Sequence, residues 1–82
     1  MGSYSTQTRL KPEEAIERAR AYFGKGGLGL EEKEIGHCCV RFEGGGGHVM
    51  VTAAEEGGKT TLDLETREWD YQVRKFMEEI HS

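Results

Sequence analysis

The chain has 82 residues, with 15 acidic against 11 basic side chains and a formal net charge of −4. This length allows one domain with one core, and the acidic balance argues against non-specific binding to nucleic-acid phosphates, which depends on basic residues. No apolar run approaches the ~20 residues of a membrane-spanning helix. We therefore expect no membrane partner and, because of the acidic balance, no nucleic-acid partner.

Residues 1–10 are polar and carry no periodic apolar pattern. We therefore predict a flexible N-terminal tail at 1–10 and a single α+β domain at 11–82. A helix is predicted from Lys11 to Phe23, because Pro12 suits the first helical position and apolar side chains recur at helical spacing. These side chains are Ala15, Ile16, Ala19, Tyr22 and Phe23.

Glycines at positions 24, 26 and 29 follow this helix and spell G-x-G-x-x-G. A dinucleotide-binding turn has a strand before these glycines and a helix after them, whereas here the helix comes first. We therefore interpret the segment as a helix cap, with Gly24 or Gly26 in the left-handed conformation.

Residues 28–35 predict a strand at an edge of the sheet. Leu28 and Leu30 share one parity of the alternation and Ile35 has the other, so the strand needs a bulge or an early turn. The charged run at 31–34 is typical of an edge that is protected against further pairing.

The centre of the chain is a predicted β-hairpin at 37–54. Apolar side chains alternate on both sides of four consecutive glycines, and their parity sets Phe42 opposite Val49. This register places alternate residues beneath the helices: Cys38, Val40, Phe42, Val49, Val51 and Ala53.

A second turn at 57–58 leads into a strand at 60–65, whose two leucines continue the buried face. Thr66 is predicted to cap a last helix at 67–80, which carries an apolar stripe at helical spacing. The predicted fold is a two-layer α+β domain in the order helix, four-stranded antiparallel meander, helix, with both helices on one face of the sheet.

Alternation leaves the opposite sheet face without a covering layer. This candidate interaction face mixes apolar, polar and charged side chains: Cys39, Arg41, His48, Met50, Thr52 and Thr61. Such a face favours a protein partner or a second copy of the chain, in a weak homodimer.

The glycines Gly44, Gly45, Gly46 and Gly47 exceed the one or two that a tight turn needs. They indicate either a flexible hairpin tip or a backbone-contact loop, which a ligand or partner approaches closely.

His37, Cys39 and His48 have side chains that bind metals, but the predicted register separates the two histidines by about 20 Å. Cys38 and Cys39 point to opposite faces, which predicts one core thiol, one surface thiol and no disulfide between them. We therefore predict no metal, cofactor or catalytic residue, and the free thiols favour a cytoplasmic location.

The sequence thus favours a small cytosolic, non-catalytic binding module. Two alternatives stay open. One is a small-molecule-binding protein or enzyme with its site between the sheet and the helices, where a domain this small has little room for a pocket of ~300 Å³ or more. The other is a metal- or thiol-responsive regulator that uses His37, Cys39 and His48.

Overall fold

The computed structural model describes residues 2–81 as a five-stranded antiparallel sheet with two helices packed against one of its faces. In chain order the secondary structure is β1 (Gly2–Thr8), α1 (Pro12–Phe23), β2 (Glu31–Ile35), β3 (Cys39–Gly44), β4 (Gly47–Glu56), β5 (Lys59–Arg67) and α2 (Asp70–Ile80). The strand order across the sheet is β1-β5-β4-β3-β2. The predicted α+β class, with an antiparallel sheet and two helices, is confirmed.

The predicted strand count is wrong by one. Residues 2–8, which belong to the predicted tail, form β1 and pair with β5 along the whole of β1. Tyr4 and Thr6 are half-buried in this strand and Thr8 is buried. A search for aliphatic alternation misses β1, because the side chains that it turns inward are tyrosine and threonine. The chain order is therefore strand, helix, four-stranded meander, helix.

The predicted register of the central hairpin is confirmed. Phe42 lies opposite Val49 and Glu43 lies opposite His48. All the residues assigned to the inner face of this hairpin are buried except Cys38, which is half-buried. Cys38 precedes the first residue of β3, in the segment that joins β2 to β3, and for this reason the strand alternation does not place it in the core.

Strand β2 contains the expected irregularity, because its register with β3 shifts between Glu32 and Glu34. Of the apolar residues around it, Leu30 is buried, whereas Leu28 and Ile35 are 41% and 56% exposed. Sequence parity is therefore not enough to place residues beside a bulge.

The segment after α1 caps the helix, but not as predicted. The Gly24 N–H donates to the Arg20 carbonyl at 2.9 Å, with a φ of −83° at Gly24. The left-handed residue is Gly29, whose φ is 84°. The prediction of a left-handed Gly24 or Gly26 is therefore wrong.

The predicted cap and start of the last helix are also wrong. Strand β5 continues to Arg67, and the buried Thr66 hydroxyl donates to the His48 carbonyl at 2.8 Å instead of capping a helix. Glu68 then turns the chain with a φ of 75°, and α2 begins after Trp69. The inward alternation that begins with Leu62 and Leu64 continues to Thr66, so the strand ends two residues later than predicted.

The core between the two layers is built around aromatic rings. The Phe23 ring centroid lies 5.5 Å from that of Phe42 and 5.3 Å from that of Phe76. Tyr22 packs edge-on against Phe23 at 4.9 Å. These rings and the aliphatic side chains fill the space between sheet and helices, and they fix which sheet face stays open. Neither helix in residues 2–81 is long and apolar enough to cross a membrane.

Candidate functional site

The candidate functional site is the sheet surface that points away from α1 and α2, which we call the open face. Val49 and Val51 of β4 are buried beneath the helices, so their neighbours Met50 and Thr52 point the other way. The register then assigns the other predicted face residues, Cys39, Arg41, His48 and Thr61, to the same side of the sheet. Within residues 2–81 no helix covers this side.

Four of the six predicted face residues lie together in the middle of the open face. Arg41 is paired with Met50, and Cys39 is paired with Thr52 on the same two strands. On the other side of β4, Met50 is paired with Glu65 of β5. We call the two cross-strand rows through Met50 and Thr52 the central rows.

The remaining two predicted face residues lie far apart along the β4 direction, one in β4 and the other beside it in β5. His48 is paired with Glu43 at the glycine turn, whereas Thr61 is paired with Ala54. Six residues of strand separate His48 from Ala54, a distance of about 20 Å. The six residues therefore share a face but do not form one cluster.

Charged pairs flank the central rows on the β2 and β3 side. The Arg41 Nε donates to Glu43 Oε2 at 3.0 Å. The Lys33 ammonium bonds the Glu31 carboxylate and holds the pKa of that carboxyl below its ordinary value. Because the four side chains of these pairs are 31–68% exposed, the pairs stabilise the fold little and remain accessible to a partner.

Backbone conformation and contacts within the chain together explain the four glycines, and a Cβ on Gly44 would lie 2.6 Å from the Leu30 side chain. Gly45 and Gly46 form the two-residue turn, with φ of 58° and 79°. The Trp69 Nε1–H donates to the Gly44 carbonyl at 2.9 Å, and a Cβ on Gly45 would lie 2.9 Å from the indole ring. A Cβ on Gly47 would lie 2.0 Å from the carbonyl oxygen of Arg67. Contacts within the chain therefore account for the crowded glycines, and the approach of a ligand or partner to this loop stays a prediction.

The residues of the regulator hypothesis do not meet. His37 is exposed in the segment between β2 and β3, Cys39 is paired with Thr52, and His48 is paired with Glu43. Cys39 and His48 are therefore about four residues apart along the strands, or about 13 Å. Cys38 and Cys39 are both free and half-buried. In the part of the chain that the structure describes, no three His, Cys, Asp or Glu side chains are placed to hold a metal ion.

Two of the clefts on the helical side of the molecule are lined in part by α1. One of about 790 Å³ opens beside β2, where Arg20 donates to Glu32 at 2.9 Å and Glu32 raises the pKa of the guanidinium. The other, of about 190 Å³, lies between the helices and is lined by Tyr22 and Phe76. Burial raises the pKa of the Tyr22 phenol. The larger cleft therefore lies between α1 and the edge strand β2, outside the packed core, and the smaller one lies between the two helices.

These observations define a small two-layer α+β protein whose uncovered sheet face carries adjacent apolar and charged side chains. No protein-family model matches the chain, and a comparison with curated proteins found no match.

Proposed function

We propose that the protein is a small, non-catalytic binding module that acts in the cytosol and binds a protein partner through the open face. One observation carries this proposal: Met50 is half-buried at the centre of a sheet face that no helix among residues 2–81 covers. The two free cysteines fit a reducing compartment.

The chemistry of the central rows suits a transient interface. Methionine and arginine are enriched in protein interfaces, and the flexible thioether of Met50 adapts to different partner surfaces. Arg41 and Glu65 flank Met50 on the neighbouring strands and supply one charge of each sign. Because the apolar area is small, we expect contact below the ~1,600 Å² of a standard interface, and weak binding.

The inner side of the sheet supports binding less well than the open face. Its side chains pack in the core, and buried threonines there donate hydrogen bonds to backbone carbonyls. Thr60 Oγ1 donates to the Leu10 carbonyl at 2.6 Å, and Thr66 Oγ1 donates to the His48 carbonyl. A catalytic or small-molecule site in the core between the layers would need these groups or this space. The alternative with an internal site is therefore supported only by the cleft between α1 and β2.

Site-specific photo-crosslinking tests the proposal. A benzophenone side chain at Thr52 of the full chain, expressed in its own cells, should form an adduct with a defined protein. The same group at Tyr71, which is 67% exposed on α2, is the matched position away from the open face. We expect Met50→Lys to abolish the Thr52 adduct, because a lysine in the contact would be desolvated, and Tyr71→Lys to leave it intact.

Two outcomes would separate the versions of this proposal. An adduct at Thr52 that contains only a second copy of the chain would establish the homodimer through the open face. The assignment of the open face would be overturned if the group at Thr52 formed no adduct while the group at Tyr71 formed a strong one. Met50→Lys would then leave the Tyr71 adduct unchanged.

A further inference from the structure

The two edges of the sheet are built differently. Strand β2 is short and bulged, and four consecutive charged residues at 31–34 guard it. Strand β1 has seven residues, GSYSTQT, with no charge and no proline, and its register with β5 runs without a shift. Charges, prolines, bulges and short length are the devices that prevent edge pairing. Strand β1 has none of them.

The register identifies the backbone groups at this edge. Glu56 and Lys59 close the two-residue hairpin turn, so they form a hydrogen-bonded pair. Alternation then directs the backbone groups of Leu62 and Leu64 toward β1, because these residues have the opposite parity to Lys59. Their partners in β1 are Thr6 and Tyr4. The N–H and C=O groups of the β1 residues with the other parity therefore point to the free edge: Ser3, Ser5 and Gln7.

We propose that β1 pairs antiparallel with β1 of a second copy, about a two-fold axis at Ser5. This axis sets Ser5 opposite Ser5 of the second copy and Ser3 opposite Gln7. Three residue pairs with two bonds each then give about six hydrogen bonds. An axis at Tyr4 or Thr6 leaves only two such pairs, so Ser5 is the register with most bonds. The product is one continuous sheet with five strands from each copy.

A second observation, on the helical side, favours a second copy as the occupant. The Tyr4 hydroxyl donates to Asp70 at 2.6 Å, and Thr6 bonds His81 at 3.2 Å. These two contacts anchor the beginning and end of α2 on either side of Ser5, so the middle of α2 lies beside the proposed axis.

The exposed side of α2 at this edge is self-complementary. Together with Ser5 and Thr6, Arg74, Met77 and Glu78 line a cleft of about 480 Å³ there. A two-fold axis perpendicular to the sheet sets the two α2 helices antiparallel on the same sheet face. Arg74 then lies toward Glu78 of the second copy, with the half-buried Met77 between the charges. An unrelated strand would pair with the backbone but would not supply this charge pattern.

This inference concerns backbone groups at the edge of the sheet, whereas the proposed use of the open face concerns side chains around Met50. The two meet only at the ends of the central rows, which run through β5 to Ser3 and Ser5. Pairing at β1 extends the open face across two copies and leaves Met50 uncovered. An association through the open face leaves the β1 edge free. Substitutions at Ser5 and at Met50 therefore separate the two surfaces.

Sedimentation equilibrium of the full chain up to about 1 mM tests the inference. Wild type should shift from the 9.2 kDa monomer to twice that mass. Ser5→Pro should raise the dissociation constant at least about tenfold, since it removes two bonds at the axis. The fold should survive, because the Ser5 N–H faces solvent in the monomer and edge strands tolerate proline there. Circular dichroism at low concentration confirms folding, and Met50→Lys is the matched control that should still dimerise.

A charge-swap experiment tests the position of the axis. Ser5→Lys and Ser5→Asp should each be monomeric, because like charges meet at the axis, and an equal mixture should form the heterodimer. Wild type that stays monomeric at about 1 mM would overturn the inference. So would association that Met50→Lys abolishes and Ser5→Pro leaves unchanged, and so would a mixture that fails to associate.

Discussion

The two hairpin turns of the sheet have the same backbone conformation and opposite surroundings. Gly45 and Gly46 turn the chain between β3 and β4, with φ of 58° and 79°. Gly57 and Gly58 turn it between β4 and β5, with φ of 57° and 84°. Both pairs have the left-handed geometry that favours glycine in two-residue hairpins.

The difference lies in what touches each turn. A Cβ on Gly57 or Gly58 would meet nothing within 4 Å. At the other turn a Cβ on Gly45 would press on the Trp69 ring, and a Cβ on Gly47 would overlap the Arg67 carbonyl oxygen. Backbone conformation therefore requires two glycines in each hairpin, and tertiary packing requires more at the Trp69 turn alone.

The largest expected effect is that of Gly47→Ala. The new methyl group would lie 2.0 Å from the Arg67 carbonyl oxygen, a backbone atom that cannot rotate away. We expect the free energy of unfolding to fall by about 3 kcal/mol or more, the range of severe overpacking. Urea denaturation measures it, with Gly57→Ala as the control in open space. A loss at Gly47 no larger than that at Gly57 would show that packing does not set the glycine count.

The comparison also shows which parts of the structure can be read from the sequence. Alternating parity around the glycines fixes the hairpin register, because a slip of one residue would expose every apolar side chain of a strand. The same parity assigns Met50 and Thr52 to the open face. The number of glycines cannot be explained in this way, because the two glycines beyond the turn pair, Gly44 and Gly47, are crowded by residues distant in sequence. These are the Leu30 side chain and the Arg67 carbonyl oxygen.

Strand β1 and the start of α2 could not be predicted from the sequence for a related reason. Both depend on residues that read as polar but lie inward. Thr8 and Thr66 are at most 1% exposed, one at each end of the pairing between β1 and β5. A threonine before a helical pattern predicts a cap, and a Ser/Thr-rich terminus predicts a tail. The period-two recurrence of Tyr4, Thr6 and Thr8, without any charge, is the one local signal that indicates β1.

An intermediate effect is expected when the indole N–H is removed. Trp69→Phe keeps an aromatic ring against Gly45 but leaves the Gly44 carbonyl without the donor that lies at 2.9 Å. We expect a loss of about 1–3 kcal/mol in the free energy of unfolding, because this carbonyl loses one of its two donors and the smaller ring leaves a gap beside Gly45. Thermal and urea unfolding of Trp69→Phe against wild type measure this loss. Unchanged stability would indicate that ring packing, not the hydrogen bond, holds α2 to the turn.

The smallest expected effect is a matched pair, Gly46→Ala and Gly58→Ala. Both glycines have left-handed φ, and a Cβ on either would meet nothing within 4 Å. A left-handed alanine costs about 1–2 kcal/mol, and the lower entropy of the unfolded chain offsets about 0.4–1 kcal/mol of that cost. We therefore expect each variant to lose about 1 kcal/mol, with the two losses equal within error. Equality would show that the two turns share one backbone cost and that Trp69 and Arg67 act on Gly45 and Gly47 alone. A clearly larger loss at Gly46 would mean that crowding by the α2 segment extends across the whole turn. The two turns would then differ in the surroundings of all their residues, and not at Gly45 and Gly47 alone.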